Sequence, residues 1–392
     1  MKVLYYNLQL GAFDGSNMHA QGLLEALKKN IGDQNVFVPE IKSKKNQKSE
    51  YSYKSDKIKL HLKGLLIPIR IIRRKRLSKL HANNIIKILK QNNFHPDIIL
   101  ARSVLYDETP IILKKRLKCQ LVVEHNTPLV YEVCDIKKLD TKQNVRKFEK
   151  KILNNADGIY CVSSILKRML VDSYGEAISN KSIVIPNGYI SRLYCNMNKF
   201  EMRRKYNIIN KRVIVFVGSL QKWHGIDNLI KAATCLEKRK DLEFWVFGDG
   251  VERDLIKKYV KTHSNLRWFG NVPLEKMAQL LTICDLGIMP YKEINNFYFS
   301  PLKMFDMIGA RLPFIGMKIG QIEEIANEDL NESFLIDNTE GELLAQHIMD
   351  VIDDDKKYSL MKAILKSNSE KHTWDCRAQI LVNWMEEILT KS

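Results

Sequence analysis

Four stretches of this chain carry residue types that could do chemistry, and the densest is MPYKEINNFYFSPLKMFDMIGARLPFIG, residues 289–316. Ser300 followed by Pro301 predicts a helix N-cap and first turn, because the hydroxyl accepts an orphan N–H and Pro has none to leave unmet. The free amides near Leu302, Lys303 and Met304 then combine with the positive end of the helix dipole, and Lys303 adds a full charge. That is an anion site. Asp306, one turn along, is in reach of the hydroxyls of a bound ribose. A surface pair between Lys303 and Asp306 would contribute only a few tenths of a kcal/mol. It also leaves unexplained why Tyr298, Phe299, the cap and Lys303 crowd together, so the pattern favours a ligand.

The second stretch, VIVFVGSLQKWHGIDNLIKA at 213–232, is a strand followed by Gly218 and Ser219, a loop with Lys222, Trp223 and His224, and Gly225 opening a helix. Backbone N–H groups, an ammonium and an imidazole converge there on a place where an anionic leaving group could be stabilised. Neither G-x-x-x-x-G-K-[ST] nor G-x-G-x-x-G is present, which argues against a P-loop and a dinucleotide fingerprint. Gly248, in FGDGVERD at 247–254, makes a similar strand and turn.

The third, VVEHNTPLVYE at 122–132, ends an apolar strand in Glu124, His125 and Asn126. Polar groups there cost desolvation unless they are paired or face a cleft, and His125 is expected to meet a sugar hydroxyl from a cleft. The fourth is GAFDGSNMH at 11–19, where Gly11 and Gly15 permit close backbone approach and Ser16 or Asn17 caps a helix toward an anion. The glycine pair alone is equally a tight turn. Gly11, Ser16, His19 and Asn126 are the expected sugar and acceptor contacts.

The elements that must hold these loops follow from periodicity. Short apolar runs alternate with amphipathic stretches, which predicts parallel sheets with helices on both faces. Strands are expected at 2–7, 97–101, 120–124, 158–162 and 182–186, then at 213–217, 242–247, 266–269, 285–289 and 313–316. Helices are expected at 18–29, 78–92, 141–155, 226–238, 252–262, 274–282, 301–310 and 340–352. A polar stretch at 191–212 separates two doubly wound Rossmann-like domains, 1–190 and 191–375, with a closing helix at 376–392. In such sheets ligands bind beyond the carboxyl ends of the strands, where the four loops lie.

With 392 residues, 45% of them hydrophobic, the chain has material for two cores. Its net charge of +18 is local. Residues 42–90 hold 16 Lys and Arg against Glu50 and Asp56, and 57–90 hold 11 basic residues and no acid. Leu65, Leu66, Ile67, Ile69, Ile71 and Ile72 precede Arg73, Arg74, Lys75 and Arg76, a pattern that suits either an anionic membrane surface or a solvated helix. Stacking aromatics are sparse there, so no nucleic acid is expected as partner. Seven cysteines without a C-x-x-C pair argue against zinc and disulfides. No apolar run approaches 18 residues, and the start of the chain predicts a strand rather than a signal peptide. The expected location is cytoplasmic, peripheral on the membrane's cytoplasmic face.

Taken together, these segments resemble retaining glycosyltransferases of family 4, with the GT-B fold of two facing Rossmann-like domains. DGSNMHAQGLLEAL is similar to the family's amino-terminal glycine loop and VVEHNTPL to its acceptor-side strand end. ADGIYCVSSILKRML with IVIPNGY, FVGSLQKWHGIDNLIKA, FGDG, SPLKMFDMIGARLPFIG and HTWDCRAQIL resemble its later elements in order. The resemblance implies transfer of a hexose from a nucleotide diphosphate sugar to a glycan or lipid-linked acceptor, with retention and without metal or other cofactor. It assigns His125, His224 and Lys303 to catalysis. To the donor it assigns Gly15, Gly218, Ser219, Lys222, Gly248, Tyr298, Ser300, Pro301, Leu302, Lys303 and Asp306. Four positions depart from the family pattern: Ser219 and His224 stand where Arg and Lys are usual, and Tyr298 with Asp306 replaces two glutamates eight apart. The branch with W-H-G and S-P-x-K elements fits these changes. A GT-B sugar-nucleotide epimerase and a basic nucleic-acid-binding protein are the alternatives.

Overall fold

The computed structural model describes residues 1–8, 10, 15–40, 60–194 and 198–391, without the side chains of residues 15, 16 and 60–66. Gly11, the Ser16 side chain, Cys195 and the basic residues of 42–59 lie outside that description. The chain divides into one unit of Met1–Pro186 with the residues from Ala378 onward, and a second of Asn187–Arg377. The break falls between Pro186 and Asn187 rather than after residue 190, and the reason is local. The Asn187 backbone N–H donates to Ser300 Oγ at 2.9 Å and its Nδ2 to the Ser300 carbonyl at 2.7 Å, which ties it to the second unit.

The first unit holds strands β1 (Val3–Tyr6), β2 (Val36–Phe37), β3 (Ile98–Arg102), β4 (Gln120–His125), β5 (Gly158–Cys161) and β6 (Ser182–Val184). Its helices are α1 (Gly15–Ile31), α2 (Leu60–Gln91), α3 (Thr109–Leu117), α4 (Lys142–Asn155) and α5 (Ser164–Tyr174). The second holds β7 (Arg212–Val217), β8 (Leu242–Phe247), β9 (Leu266–Gly270), β10 (Leu286–Met289), β11 (Phe314–Met317) and β12 (Leu335–Ile336). Between them run α6 (Lys199–Lys205), α7 (Ile226–Cys235), α8 (Arg253–Val260), α9 (Leu274–Leu281), α10 (Leu302–Gly309), α11 (Gly320–Asp329), α12 (Gly341–Ile352) and α13 (Asp355–Asn368). The last helix, α14 (Trp374–Thr390), starts in the second unit and continues in the first, where Ile388 and Trp384 lie so close to Gly158 that a side chain there would collide with them.

Both sheets are parallel throughout, ordered β2-β1-β3-β4-β5-β6 and β12-β11-β10-β7-β8-β9, as the alternation predicts. Parallel strands are covered on both faces and therefore apolar along their length. Residues of β1, β5, β8 and β10 are buried without a break. Tyr5, Tyr6 and Tyr160 fill the first core, and Phe216, Trp245, Phe247, Phe305 and Phe314 the second, each contributing roughly 1.5–3 kcal/mol by burial. The strand order reverses between β1 and β3 in one sheet and between β7 and β10 in the other. At such reversals neighbouring loops part and leave a crevice. The loop after β7, carrying Gly218, and the start of α10 after β10, carrying Lys303, flank the second reversal.

Several features depart from the pattern-based expectation, and α3, α5, α6, α11 and α13 lie outside the helices it predicts. β2 and β12 are two-residue edge strands, too short to show a period. Helix α2 begins at Leu60 rather than 78 and continues through Pro68, a residue that ordinarily breaks a helix.

Candidate functional site

In the second unit, β7 ends in Gly218 and β8 in Gly248, and the two turns interlock. The Gly218 N–H donates to the Phe247 carbonyl at 3.0 Å, and a Cβ on Gly248 would lie 2.0 Å from the Gly218 carbonyl oxygen. Both residues have positive φ, +133° and +125°, so glycine answers a backbone conformation and a close approach at once. The missing side chain at Gly218 leaves room for another group: a Cβ there would sit 2.9 Å from Lys303 Nζ and 3.9 Å from His224 Cε1. Gly218, Gly248, His224 and Lys303 are thus brought together over the ends of β7, β8 and β10.

Lys303 is 7% exposed, and its Nζ has no hydrogen-bond partner among the described residues. The ammonium stands over the rings of Phe216 and Tyr291, 4.4 and 4.8 Å from their centroids. Aromatic faces attract a cation but supply no acceptor. Burial alone lowers its pKa to about 7, from the usual lysine value of 10.5. A buried ammonium without a counter-ion is costly, and an anion beside it would remove the cost.

His224 differs from the cationic role expected of it. Burial first, and the Lys303 ammonium second, lower its pKa to about 3 against a smaller opposing effect of the Ser219 carbonyl. The imidazole is therefore neutral. Its Nδ1 faces that carbonyl, so Nδ1 carries the proton and Nε2 is an acceptor. Such a ring suits a hydroxyl better than a phosphate oxygen. Lys222, in the same turn, is exposed and forms no ion pair among the described residues.

The Ser300–Pro301 expectation is corrected. Helix α10 starts at Leu302 with Pro301 in the cap position and no side-chain cap. Ser300 Oγ instead accepts from Asn187, so its lone pair is turned away from the helix amides. Asp306 forms no pair with Lys303. Its Oδ1 accepts from the Tyr194 hydroxyl at 2.8 Å, and burial raises its pKa to about 7 despite that bond. Tyr298 is buried with its ring 4.2 Å from that of Phe299.

In the first unit, Glu124, His125 and Asn126 resolve into two paired clusters. Glu124 is fully buried. His19 Nε2 lies 2.8 Å from its Oε1, Arg102 3.6 Å, and Asn126 Nδ2 2.5 Å. Burial would raise the Glu124 pKa, but His19 above all, with Arg102 and Asn126, holds it at about 2. His125 is likewise fully buried, its Nε2 2.8 Å from Glu149. Glu149 also accepts from the Leu129 N–H and the Tyr174 hydroxyl, and these bonds with His125 outweigh burial to lower its pKa. His125 therefore has a structural partner and no exposed edge, contrary to the cleft-facing expectation. Gly15 begins α1.

Sequence reasoning did not single out Phe216, Tyr291, Asn187, Tyr194, Arg102 or Glu149. Asn187 carried a signal in IVIPNGY. Phe216 and Tyr291 looked like ordinary core residues. Among the described residues, no group of three or more His, Cys, Asp or Glu is placed to hold a metal ion.

Comparison with known proteins adds three findings. Residues 13–190 match the family described as Glycosyltransferase Family 4, and residues 211–354 the one described as Glycosyl transferases group 1. TuaH of Bacillus subtilis, named as a teichuronic acid biosynthesis glycosyltransferase, is 28% identical over 45% of this chain and 44% of its own length. The chain spans about half the length of the relatives it matches. Among solved structures, Anabaena Alr3699/HepE in complex with UDP superposes with a TM-score of 0.69 at 16% identity, covering 99% of this chain and 100% of that one. Sucrose-phosphate synthase from Thermosynechococcus elongatus gives 0.69 at 14% identity, with both chains fully covered.

Proposed function

We propose that this chain, which has the GT-B architecture, is a glycosyltransferase that transfers a hexose from a nucleotide diphosphate sugar, with retention, to a glycan or lipid-linked acceptor. The observation that carries the reading is the Lys303 ammonium, buried, unpartnered and laid against Gly218. A diphosphate seated on the two glycine turns would accept from that ammonium and from first-turn amides of α10, which have no partner within the helix. As the glycosidic bond to the diphosphate breaks, charge grows on the leaving oxygen, and a preorganised donor there stabilises the transition state more than the ground state.

No protein carboxylate is assigned as nucleophile. The acceptor hydroxyl attacks on the face the diphosphate leaves, and a departing phosphate oxygen takes its proton. Catalysis is then positioning plus charge stabilisation. His224 Nε2, an acceptor, holds a hydroxyl of the transferred sugar. Lys222, exposed in the same turn, is the second cation.

HepE has been solved with UDP and with UDP-glucose, which makes UDP-hexoses the first donors to try. The name of TuaH favours a role in cell-surface polysaccharide synthesis. Thermal stabilisation by a panel of UDP-, GDP- and ADP-sugars reads donor binding, since a ligand of the folded state raises its melting temperature. One donor class should stabilise the protein, and Lys303→Gln should abolish the shift. A shift equal in the variant, or none with any donor, overturns the reading.

Helix α2 supports a membrane-presented acceptor. Ile69, Ile72 and Leu80 are 61%, 53% and 62% exposed beside Arg73 and Arg76, around a groove of about 360 Å³. Apolar and basic groups on one surface suit anionic headgroups better than water. Replacing Arg73 and Arg76 by Glu should release the chain from phosphatidylglycerol vesicles, and retained binding refutes this part alone.

A further inference from the structure

A cavity of about 570 Å³ in the second unit lies at the other end of the sheet from Lys303. Strand β7 runs between the two, with Arg212 on the cavity and Gly218 beyond the strand's far end, roughly 20 Å away at 3.3 Å per residue. We propose that this cavity binds a small phosphate monoester, at a site separate from the one that holds the sugar donor.

Charge is the first argument. Lys199, Arg203, Lys211, Arg212, Arg311 and Lys362 line the cavity, against Asp241 and Asp285, an excess of 6 − 2 = 4 positive charges. Both carboxylates are already engaged: Asp285 by Arg203 at 3.0 Å and the Val213 N–H at 2.8 Å, Asp241 by Arg239 at 2.7 Å. Lys211 is spent on Glu243. Lys199 and Lys362 form no ion pair among the described residues. Partial burial, then repulsion from Lys362 and Arg311, draws the Lys199 pKa below the usual lysine value. Arg203 and Arg212 share Asp285, and Arg311 lies 3.5 Å from Glu370, so the uncompensated charge of the cavity is that of Lys199 and Lys362.

Backbone conformation is the second argument. Arg311 follows the C-terminal cap of α10 at φ +50°, a left-handed position where glycine is usual and a larger residue is strained. Its guanidinium lies 3.5 Å from the exposed Glu370 and also lines the cavity.

Shape gives the class of ligand. A bare phosphate ion would leave most of the cavity empty, whereas pockets for small organic molecules run from about 300 to 1,000 Å³. The Tyr358 ring, anchored through its hydroxyl to the Asp285 carbonyl at 3.0 Å, supplies an apolar face with Arg212 and Lys362 about it, 5.5 and 5.4 Å from the centroid. Ile209 and Leu312 extend that face. Cations beside an apolar wall fit a phosphate on a short carbon skeleton. A concave site of this size also excludes a vesicle surface.

The test is calorimetric titration of the full chain at fixed ionic strength with glycerol 3-phosphate, ribose 5-phosphate, inorganic phosphate and ribose. At least one monoester should bind saturably at one per chain, with inorganic phosphate at least tenfold weaker and ribose without effect. Lys303→Gln should bind the monoester as the parent does. The double variant Lys199→Gln, Lys362→Gln should bind at least tenfold more weakly, with an unchanged melting temperature. Arg311→Gly should weaken binding while raising the melting temperature of the unliganded chain. Absence of saturable monoester binding overturns the proposal. So does binding that survives the double variant unchanged, binding lost in Lys303→Gln, or inorganic phosphate binding as tightly as the monoester.

Discussion

At the strand ends of the first sheet, Glu124 is enclosed by His19, Arg102 and Asn126, and Glu149 by His125, Tyr174 and a backbone amide, whereas at the same ends of the second sheet the Lys303 ammonium meets two aromatic rings and, among the described residues, no acceptor. Both places bury charge. In the first, each charge has its counterpart inside the fold, so the cluster holds loops in place and needs nothing from solution. In the second the counterpart is missing, which is tolerable only if a ligand brings it. Burial of an ionisable group is thus an ambiguous sign of function until its partners are counted.

Removing one member of the self-sufficient cluster should have the largest effect on folding. Glu124→Gln leaves Arg102 facing a neutral amide in the interior, and should cost about 3–5 kcal/mol in the first unfolding transition under urea. An effect below about 1 kcal/mol would mean that the cluster is solvated and the contrast overstated.

Lys303→Gln should do the reverse. Turnover should fall roughly 100- to 1,000-fold, as for loss of one preorganised donor, while the melting temperature holds or rises because an unpaired buried charge is gone. A variant that unfolds instead would place Lys303 among structural residues.

A third effect follows from pH. Lys303 loses its proton above about pH 7 in the unliganded protein, and only the ammonium attracts a diphosphate. Affinity for UDP should therefore fall by up to about tenfold per pH unit between 7 and 9, with proton uptake on binding, and Lys303→Gln should flatten the profile. A flat profile in the parent would assign the anion to Lys222.

Asp306 provides the smallest effect. Its folded pKa is raised from 3.8 to about 7, so its contribution to folding is fully present below pH 4 and lost as the pH rises through 7. Asp306→Asn, which keeps an acceptor for Tyr194, should gain about 1 kcal/mol at pH 8 and little at pH 4. Equal gains at both values would show that charge is not the cause.

Much of this was legible in the residues. Apolar runs that end in glycine locate β7 and β8, and a lysine next to an S-P turn marks Lys303, because both signals are local. The misread positions depend on partners far along the chain. Ser300 looked like a cap until Asn187, 113 residues away, took its oxygen. His125 looked cleft-facing until Glu149, 24 residues on, filled its side. The neutral state of His224 depends on burial and on Lys303, which spacing does not show. Helix α2 was legible only from 78 onward, because its first turns carry apolar and basic residues without a clear helical period.

Lys303 and Asp306, three residues apart on α10, titrate near the same pH from opposite sides. Below about 7 the lysine is charged in an apolar place, and above about 7 the aspartate is. Between pH 4 and 7 the aspartate's contribution to folding is lost, and between 7 and 10 the lysine's cost is relieved. Their combined effect leaves the empty second unit at its least stable near neutrality, where an occupied one would be stabilised by the charge it receives. A protease added at pH 7 should therefore degrade the chain faster than at pH 9, and nucleotide should slow that digestion most at the lower pH. On the proposed function, the lifetime of this protein in a cell would then follow the supply of the nucleotide it binds.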